Sequence, residues 1–396
     1  MYISERIKQI GGDDKAAVRS QMEHFKQIGR NIISLNLGEA DFNTPDYIIA
    51  SAAEAMKAGY TRYTPVEGIL ELRQAICQKL LNENHITYQP NETIVCAGAK
   101  QAISNTLFAL CNAGDEVLIP TPCWDSYPKM VKLAQATPVF VETDIKAGFV
   151  PSISEFKKKI TARTKCIILN NPHNPTGCVY SRDLLRAVGN LACEHDLYII
   201  SDEIYEYLTY EGEFVSMASI SNEIKNRTVT VNGFSKSFAM TGWRIGYAAG
   251  AKQIIEAMKI FQGYTTSNVN SISQRASLTA LVCSREAVYK MVEEFNLRRQ
   301  FITRRLSDMG EIGFVCPQGA FYLLADISMF FGSSYKDKKI QNADDFVAFM
   351  LEQAEVLLSS GELYHAPNYV RISYSNSIEN LTLAMQKMQE ALQLLK

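Results

Sequence analysis

The sequence predicts an α/β protein: a large unit on a mostly parallel, seven-stranded sheet, followed by a smaller α+β unit. Three observations carry the prediction. Seven short apolar runs alternate with longer amphipathic stretches between Thr93 and Gly250, as in a parallel sheet covered by helices on both faces. After a long helical stretch that stops at Gly310, the pattern turns to isolated strands and helices. The 396 residues are enough for two or three domains at roughly 100–200 residues each.

In chain order the runs are Thr93–Ala97, Glu116–Ile119, Thr137–Val141, Lys165–Leu169, Tyr198–Ser201, Thr228–Val231 and Arg244–Ala249. Between the first two, Ala99, Ala102, Ile103, Thr106, Leu107 and Leu110 keep one face of a helix, and Leu184–His195 reads as another. Ser284–Met309 reads as one long helix. Strands follow around Phe321–Ala325 and Tyr369–Ser375, with helices near Ala343–Ala354 and Ile378–Leu395. In the last helix Leu381, Met385, Met388, Leu392 and Leu395 recur at spacings of four and three, a stripe that packs on a core. The expected division is 46–283 for the large unit and 284–396 for the long helix and small unit, with 1–45 contributing to the small one.

Composition narrows the function classes. Lys and Arg number 40 against 42 Asp and Glu, so nothing marks a binder of nucleic acid or of a membrane surface. Hydrophobic residues at 47% and charged residues at 21% belong to a folded chain rather than a disordered one. Nine cysteines without a C-x-x-C pair and five histidines without H-E-x-x-H spacing indicate neither a disulfide framework nor a metal cluster. The charged N-terminus, Met1-Tyr-Ile-Ser-Glu-Arg-Ile-Lys, lacks the apolar stretch of a signal peptide. Apolar runs such as Ala320–Ala325 fall far short of the roughly 20 residues of a membrane span. A cytoplasmic protein with reduced thiols is expected.

In open parallel sheets, ligands bind beyond the carboxyl ends of the strands, so the residues after each run are the candidates. Gly98-Ala99-Lys100 opens a helix whose free N–H groups suit a phosphate, or is a plain strand-to-helix turn. Asn170-Asn-Pro-His-Asn-Pro-Thr-Gly177 is a dense turn in which Asn174 offers a hydrogen-bond donor. Asp202 ends an apolar run, where a carboxylate is costly unless it meets a cation or strong donor; the alternative is a helix N-cap. Lys236 follows the sixth run among small and aromatic residues, a setting that desolvates an amine and makes it a nucleophile towards carbonyl compounds. Arg244, eight residues on, is a fixed cation suited to phosphate.

These segments resemble a known family. Asn174-Pro-Thr-Gly177, Ser201-Asp-Glu-Ile-Tyr205 and Ser235-Lys-Ser-Phe-Ala-Met-Thr-Gly-Trp-Arg244, in that order, are similar to the class-I pyridoxal-phosphate aminotransferases, nearest to the bacterial aspartate aminotransferase subgroup. The resemblance runs from Leu37-Gly-Glu-Ala-Asp-Phe42 to Val370-Arg-Ile-Ser-Tyr374. It implies the fold-type-I architecture of pyridoxal-phosphate (PLP) transferases, with pyridoxal 5'-phosphate as cofactor. Lys236 would hold the cofactor as a Schiff base and move the proton at the substrate Cα. Asp202 would pair with the ring nitrogen, Tyr205 and Asn174 with the phenolate oxygen, and Trp124 would stack on the ring. Gly98, Ala99, Ser235 and Arg244 would hold the phosphate. Tyr63 would reach the phosphate of a neighbouring subunit, which implies a homodimer with shared sites.

On the substrate side the resemblance assigns Arg371 to the α-carboxylate, although its alternation with Val370 and Ile372 also suits an ion pair. Gly38 would allow close approach, and Trp124 and Asn174 would also touch substrate. Lys100 would meet the distal carboxylate of acidic substrates, or only add positive charge near the phosphate. Three segments depart from the family pattern: Gly233 replaces a serine, and Gly11-Gly-Asp-Asp14 and Ser359-Ser-Gly361 replace common lip sequences. Asp13 and Asp14, if at the lip, would repel an acidic side chain. The implied reaction moves the amino group of L-aspartate to 2-oxoglutarate in a ping-pong mechanism. Alternatives are transfer from aromatic or other amino acids and a C–S lyase on the same fold. A sensory module fused to a DNA-binding domain is not expected, because little chain precedes Leu37.

Overall fold

The computed structural model describes residues 3–12, 25, 27, 29–310 and 312–396. A short strand β1 (Ile33–Ser34) precedes the main sheet. That sheet comprises β2 (Thr93–Cys96), β3 (Glu116–Thr121), β4 (Thr137–Glu142), β5 (Thr164–Asn170), β6 (Tyr198–Asp202), β7 (Thr228–Gly233) and β8 (Gly246–Ala249). Its order is β2-β8-β7-β6-β5-β3-β4. Every pairing is parallel except those of β8, which runs antiparallel to both β2 and β7.

All seven apolar runs are strands. Their ends shift by one or two residues; at the last run the shift has a backbone cause, since Arg244 holds φ at +52°, outside the extended region, so β8 begins at Gly246 rather than at Arg244. Side-chain alternation explains why a central strand such as β5 is apolar in its interior. On β5, Cys166 and Ile168 pack into one core with Ala102, Ile103, Leu107 and Met258. Ile167 and Leu169 face the opposite way, into a core with Phe156, Leu185, Val188 and Leu191. Period-two alternation with an apolar layer on each side leaves no solvent face. The helices Ala99–Leu110 and Arg182–Glu194 supply those layers, and Ser181 caps the second by accepting from the Leu184 amide.

The C-terminal part follows the long helix Glu286–Asp308, whose end is marked by Gly310 at φ +90°. It contains β9 (Gly313–Phe314), β10 (Tyr322–Asp326), β11 (Ser334–Tyr335), β12 (Lys338–Lys339), β13 (Val356–Leu357), β14 (Ser359–Ser360) and β15 (Tyr369–Ser373). Four of these form an antiparallel sheet in the order β14-β15-β10-β9. Helices Ala343–Gln353 and Ile378–Leu392 cover it. Leu381, Met385 and Met388 of the predicted stripe are fully buried, and Leu392 and Leu395 pack at its edge. Ile33 and Leu35 join this same core, and β1 pairs in parallel with β13. The N-terminal segment is thereby stitched to the far end of the chain. Among the described residues, no helix is long and apolar enough to cross a membrane.

Candidate active site

The carboxyl ends of the parallel strands open onto one cavity of about 480 Å³. At the end of β2, Gly98 takes φ +86° and leads into helix Ala99–Leu110, a backbone state glycine adopts without a Cβ clash. A Cβ there would also lie 2.8 Å from Nη2 of Arg244. The Arg244 guanidinium donates from Nη1 to the Thr241 carbonyl at 2.8 Å, which pins it beside the helix N-terminus. Fixed positive charge next to free helical N–H groups suits a phosphate.

Asp202 ends β6 and is 3% exposed. A turn, not a helix, follows it, so the N-cap alternative is not realised. Its Oδ2 accepts from the Tyr127 hydroxyl at 2.7 Å, and Oδ1 from the Ile204 amide at 3.3 Å. Burial pushes its pKa up to about 6, against the pull of Tyr127, the Ile204 amide and the Lys236 charge.

Lys236 follows β7 and donates from Nζ to the Gly38 carbonyl. The Tyr205 and Phe321 rings stand 5.9 and 5.8 Å from that nitrogen. Burial lowers its pKa to about 8, with Glu39 and Asp202 opposing and Arg371 and Arg244 adding to the shift. An amine with this pKa is partly neutral near pH 8 and nucleophilic.

Arg371 projects from β15 with 5% exposure. It donates to Asn174 Oδ1 at 3.1 Å, the Asn36 carbonyl at 2.8 Å and Ser359 Oγ at 3.4 Å. These hydrogen-bond partners are all neutral, so the ion-pair alternative is not realised among the described residues. Its guanidinium carbon lies 4.3 Å from the Tyr322 ring centroid and 4.8 Å from that of Tyr364. Its Nε has no hydrogen-bond partner among the described residues. A rigid planar cation with a spare N–H is a receptor for a carboxylate.

Gly38, Ala99, Lys100, Trp124, Asn174, Asp202, Tyr205, Ser235, Lys236, Arg244 and Arg371 all line the cavity. Gly98 abuts it through Arg244. Tyr63 is not brought there; it is 90% exposed on the surface. Lys100 places Nζ 4.8 Å from the Trp124 ring centroid. Gly11 and Gly12 are exposed, and Asp13 and Asp14 lie outside the described residues.

The family profile described as aminotransferase class I and II matches residues 30–388. An aspartate aminotransferase of Geobacillus stearothermophilus is 41% identical over 390 residues, 98% of each chain. An aspartate/prephenate aminotransferase of Nitrosomonas europaea is 38% identical over 98% of each chain. The solved aspartate aminotransferase of Rhizobium meliloti superposes with a TM-score of 0.96 at 35% identity, covering both chains in full.

The chain belongs to the class I and II aminotransferases.

Sequence reasoning on this aminotransferase missed several cavity residues: Glu39, Asp125, Tyr127, Thr241, Tyr322 and Tyr364. Tyr322 donates to or accepts from the Tyr205 hydroxyl at 3.0 Å, and Thr241 donates to Glu39 Oε2 at 2.9 Å. A weak signal existed for Tyr127, which opens a helix three residues past Trp124. None existed for Tyr322, which opens a strand far along the chain. At Gly233 a Cβ would come 3.0 Å from the Gly246 Cα and 3.2 Å from Ile204 Cδ1. The close β7–β8 approach therefore holds a glycine where the family pattern has a serine.

Proposed function

We propose that this aminotransferase uses pyridoxal 5'-phosphate to move the amino group of L-aspartate to 2-oxoglutarate in two half-reactions. The residues suit that cofactor: a buried carboxylate, an amine with lowered pKa, and a guanidinium fixed at a helix N-terminus face one cavity. Bound here, it would supply an electron sink for the substrate carbanion.

The chain's own groups do the rest. Arg244 and the helix N-terminus at Ala99 bind the phosphate, with Ser235 and Gly98 beside them. Asp202, held by Tyr127, presents negative charge to the ring nitrogen. Tyr205 and Asn174 offer hydrogen bonds to the ring oxygen, and Trp124 covers one face. Arg371 binds the α-carboxylate through the N–H that lacks a partner. Lys236, neutral in part near pH 8, takes the proton from the substrate Cα and returns it on the other side of the exchange. Lys100 meets the distal carboxylate of aspartate and glutamate.

The single observation that carries this reading is the cluster of Lys236, Asp202 and Arg371 around one cavity in a chain of this family. Relatives named aspartate aminotransferase at about 40% identity support the choice of aspartate. A homodimer in the cytoplasm belongs to the same proposal; the exposed Tyr63 is available to a second copy. So does a division at 45/46 and 283/284, supported by the core that Ile33 and Leu35 share with the C-terminal part.

A panel of amino donors against 2-oxoglutarate tests the reading. Aspartate should give the highest kcat/KM, with glutamate formed in equal amount to oxaloacetate. Pyruvate released from cysteine or cystathionine without glutamate would instead assign a lyase.

A further inference from the structure

Tyr127 lies in the helix Ser126–Leu133 with 2% exposure. Its hydroxyl donates to Asp202 Oδ2 at 2.7 Å. Its ring meets Trp124 edge to face, with centroids 5.3 Å apart and planes at 88°. One side chain therefore touches two of the groups the cavity presents. Among the described residues, the other groups acting on the Asp202 carboxylate are the Ile204 amide and the Lys236 charge. The Ile204 amide is a long contact at 3.3 Å, and Lys236 acts through its charge. Tyr127 supplies the one hydrogen bond of ordinary length to this carboxylate among the described residues.

A neutral donor favours the ionised form of a carboxylate over the acid. That matters because burial pulls Asp202 the other way, towards the neutral form. The phenol stays a donor throughout, since burial and the Asp202 charge push its own pKa well above the ordinary range.

We propose that Tyr127 is a positioning residue of this aminotransferase: its hydroxyl keeps Asp202 ionised and oriented, and its ring fixes the plane of Trp124. The functional meaning rests on the reading that Asp202 meets the cofactor ring nitrogen; the coupling between the two side chains does not.

The test begins with cofactor-free protein. Tyr127→Phe keeps the ring and removes the hydroxyl, and circular dichroism checks that it folds. Infrared difference spectra against Asp202→Asn isolate the carboxyl stretch of Asp202 as pH is varied. Tyr127→Phe should move that titration upward by about one to two pH units, the scale of a lost hydrogen bond to a charged group. Replacing Tyr127 by 3-fluorotyrosine, a stronger donor of similar shape, should move it downward.

Affinity for pyridoxal 5'-phosphate, followed by fluorescence quenching at pH 7, should fall about three- to tenfold in Tyr127→Phe and approach wild type by pH 9. In an Asp202→Asn background the same substitution should change affinity by less than about twofold, since its route is gone. An unmoved Asp202 titration, or equal losses in both backgrounds, overturns the proposal. Wild-type protein that binds no pyridoxal 5'-phosphate, with the titration still shifted, would uphold the coupling and sink the cofactor reading instead.

Discussion

Lys236 sits where its charge opposes folding, and that cost can be measured without any ligand. Burial lowers its pKa from 10.5 to about 8. The whole shift corresponds to about 3 kcal/mol at roughly 1.4 kcal/mol per pH unit. Lys236 is only half-buried and borders a cavity that admits water, so we take about 2 kcal/mol. Between pH 8 and 10.5 the unfolded chain carries a proton on this lysine and the folded chain does not. Stability from this group therefore rises with pH across that window. Below pH 8 both states are protonated and the penalty is present in full.

Lys236→Met keeps the length of the side chain and removes the charge. Denaturant unfolding of both cofactor-free proteins from pH 7 to 10.5 gives the difference in stability at each pH. The difference matters because the buried tyrosines and cysteines that titrate in the same range are common to both. Any constant offset from the lost hydrogen bond to Gly38 drops out as well. Relative to wild type, the Met variant should lose about 2 kcal/mol of its advantage between pH 8 and 10.5. A difference that stays flat with pH would refute the argument that this amine is desolvated by the fold.

Three further outcomes follow from the site. Asp202→Asn should reduce kcat by about 10²–10³, roughly 3–4 kcal/mol of barrier, with the folded state intact; unchanged turnover in steady-state assays would leave Asp202 a structural role only. Inactive Tyr63→Phe and Arg371→Ala proteins, mixed and reassociated, should recover activity beyond either parent if Tyr63 serves a neighbouring site, and no recovery would place each site within one chain. Lys100→Ala should lower kcat/KM for aspartate by about 1–3 kcal/mol and spare alanine, whereas equal losses would tie Lys100 to the cofactor.

Much of the site could be read from sequence because an α/β sheet writes it locally. Asp202, Asn174 and Lys236 each follow a short apolar run, and the sheet brings the ends of those runs together. Gly98 was legible for the same reason, opening the helix after β2, whereas Arg244 was picked out as a cation eight residues past Lys236. The long helix and the stripe of Leu381, Met385 and Met388 were carried by their spacing alone.

Tertiary structure alone decided what those residues meet. Tyr127 and Asp202 are 75 residues apart, Asn174 and Arg371 197, Gly38 and Lys236 198, and Asn36 and Arg371 335. Periodicity records which face of an element is apolar, but not which element that face will meet; sheet order and core packing settle that. The same holds for charge. Apolar neighbours along the chain hinted that Lys236 is desolvated, yet the values near 8 for its amine and near 6 for Asp202 come from burial and from partners on other elements. Burial is a property of assembled layers, and a carboxylate's donors are fixed only once those layers have closed around it.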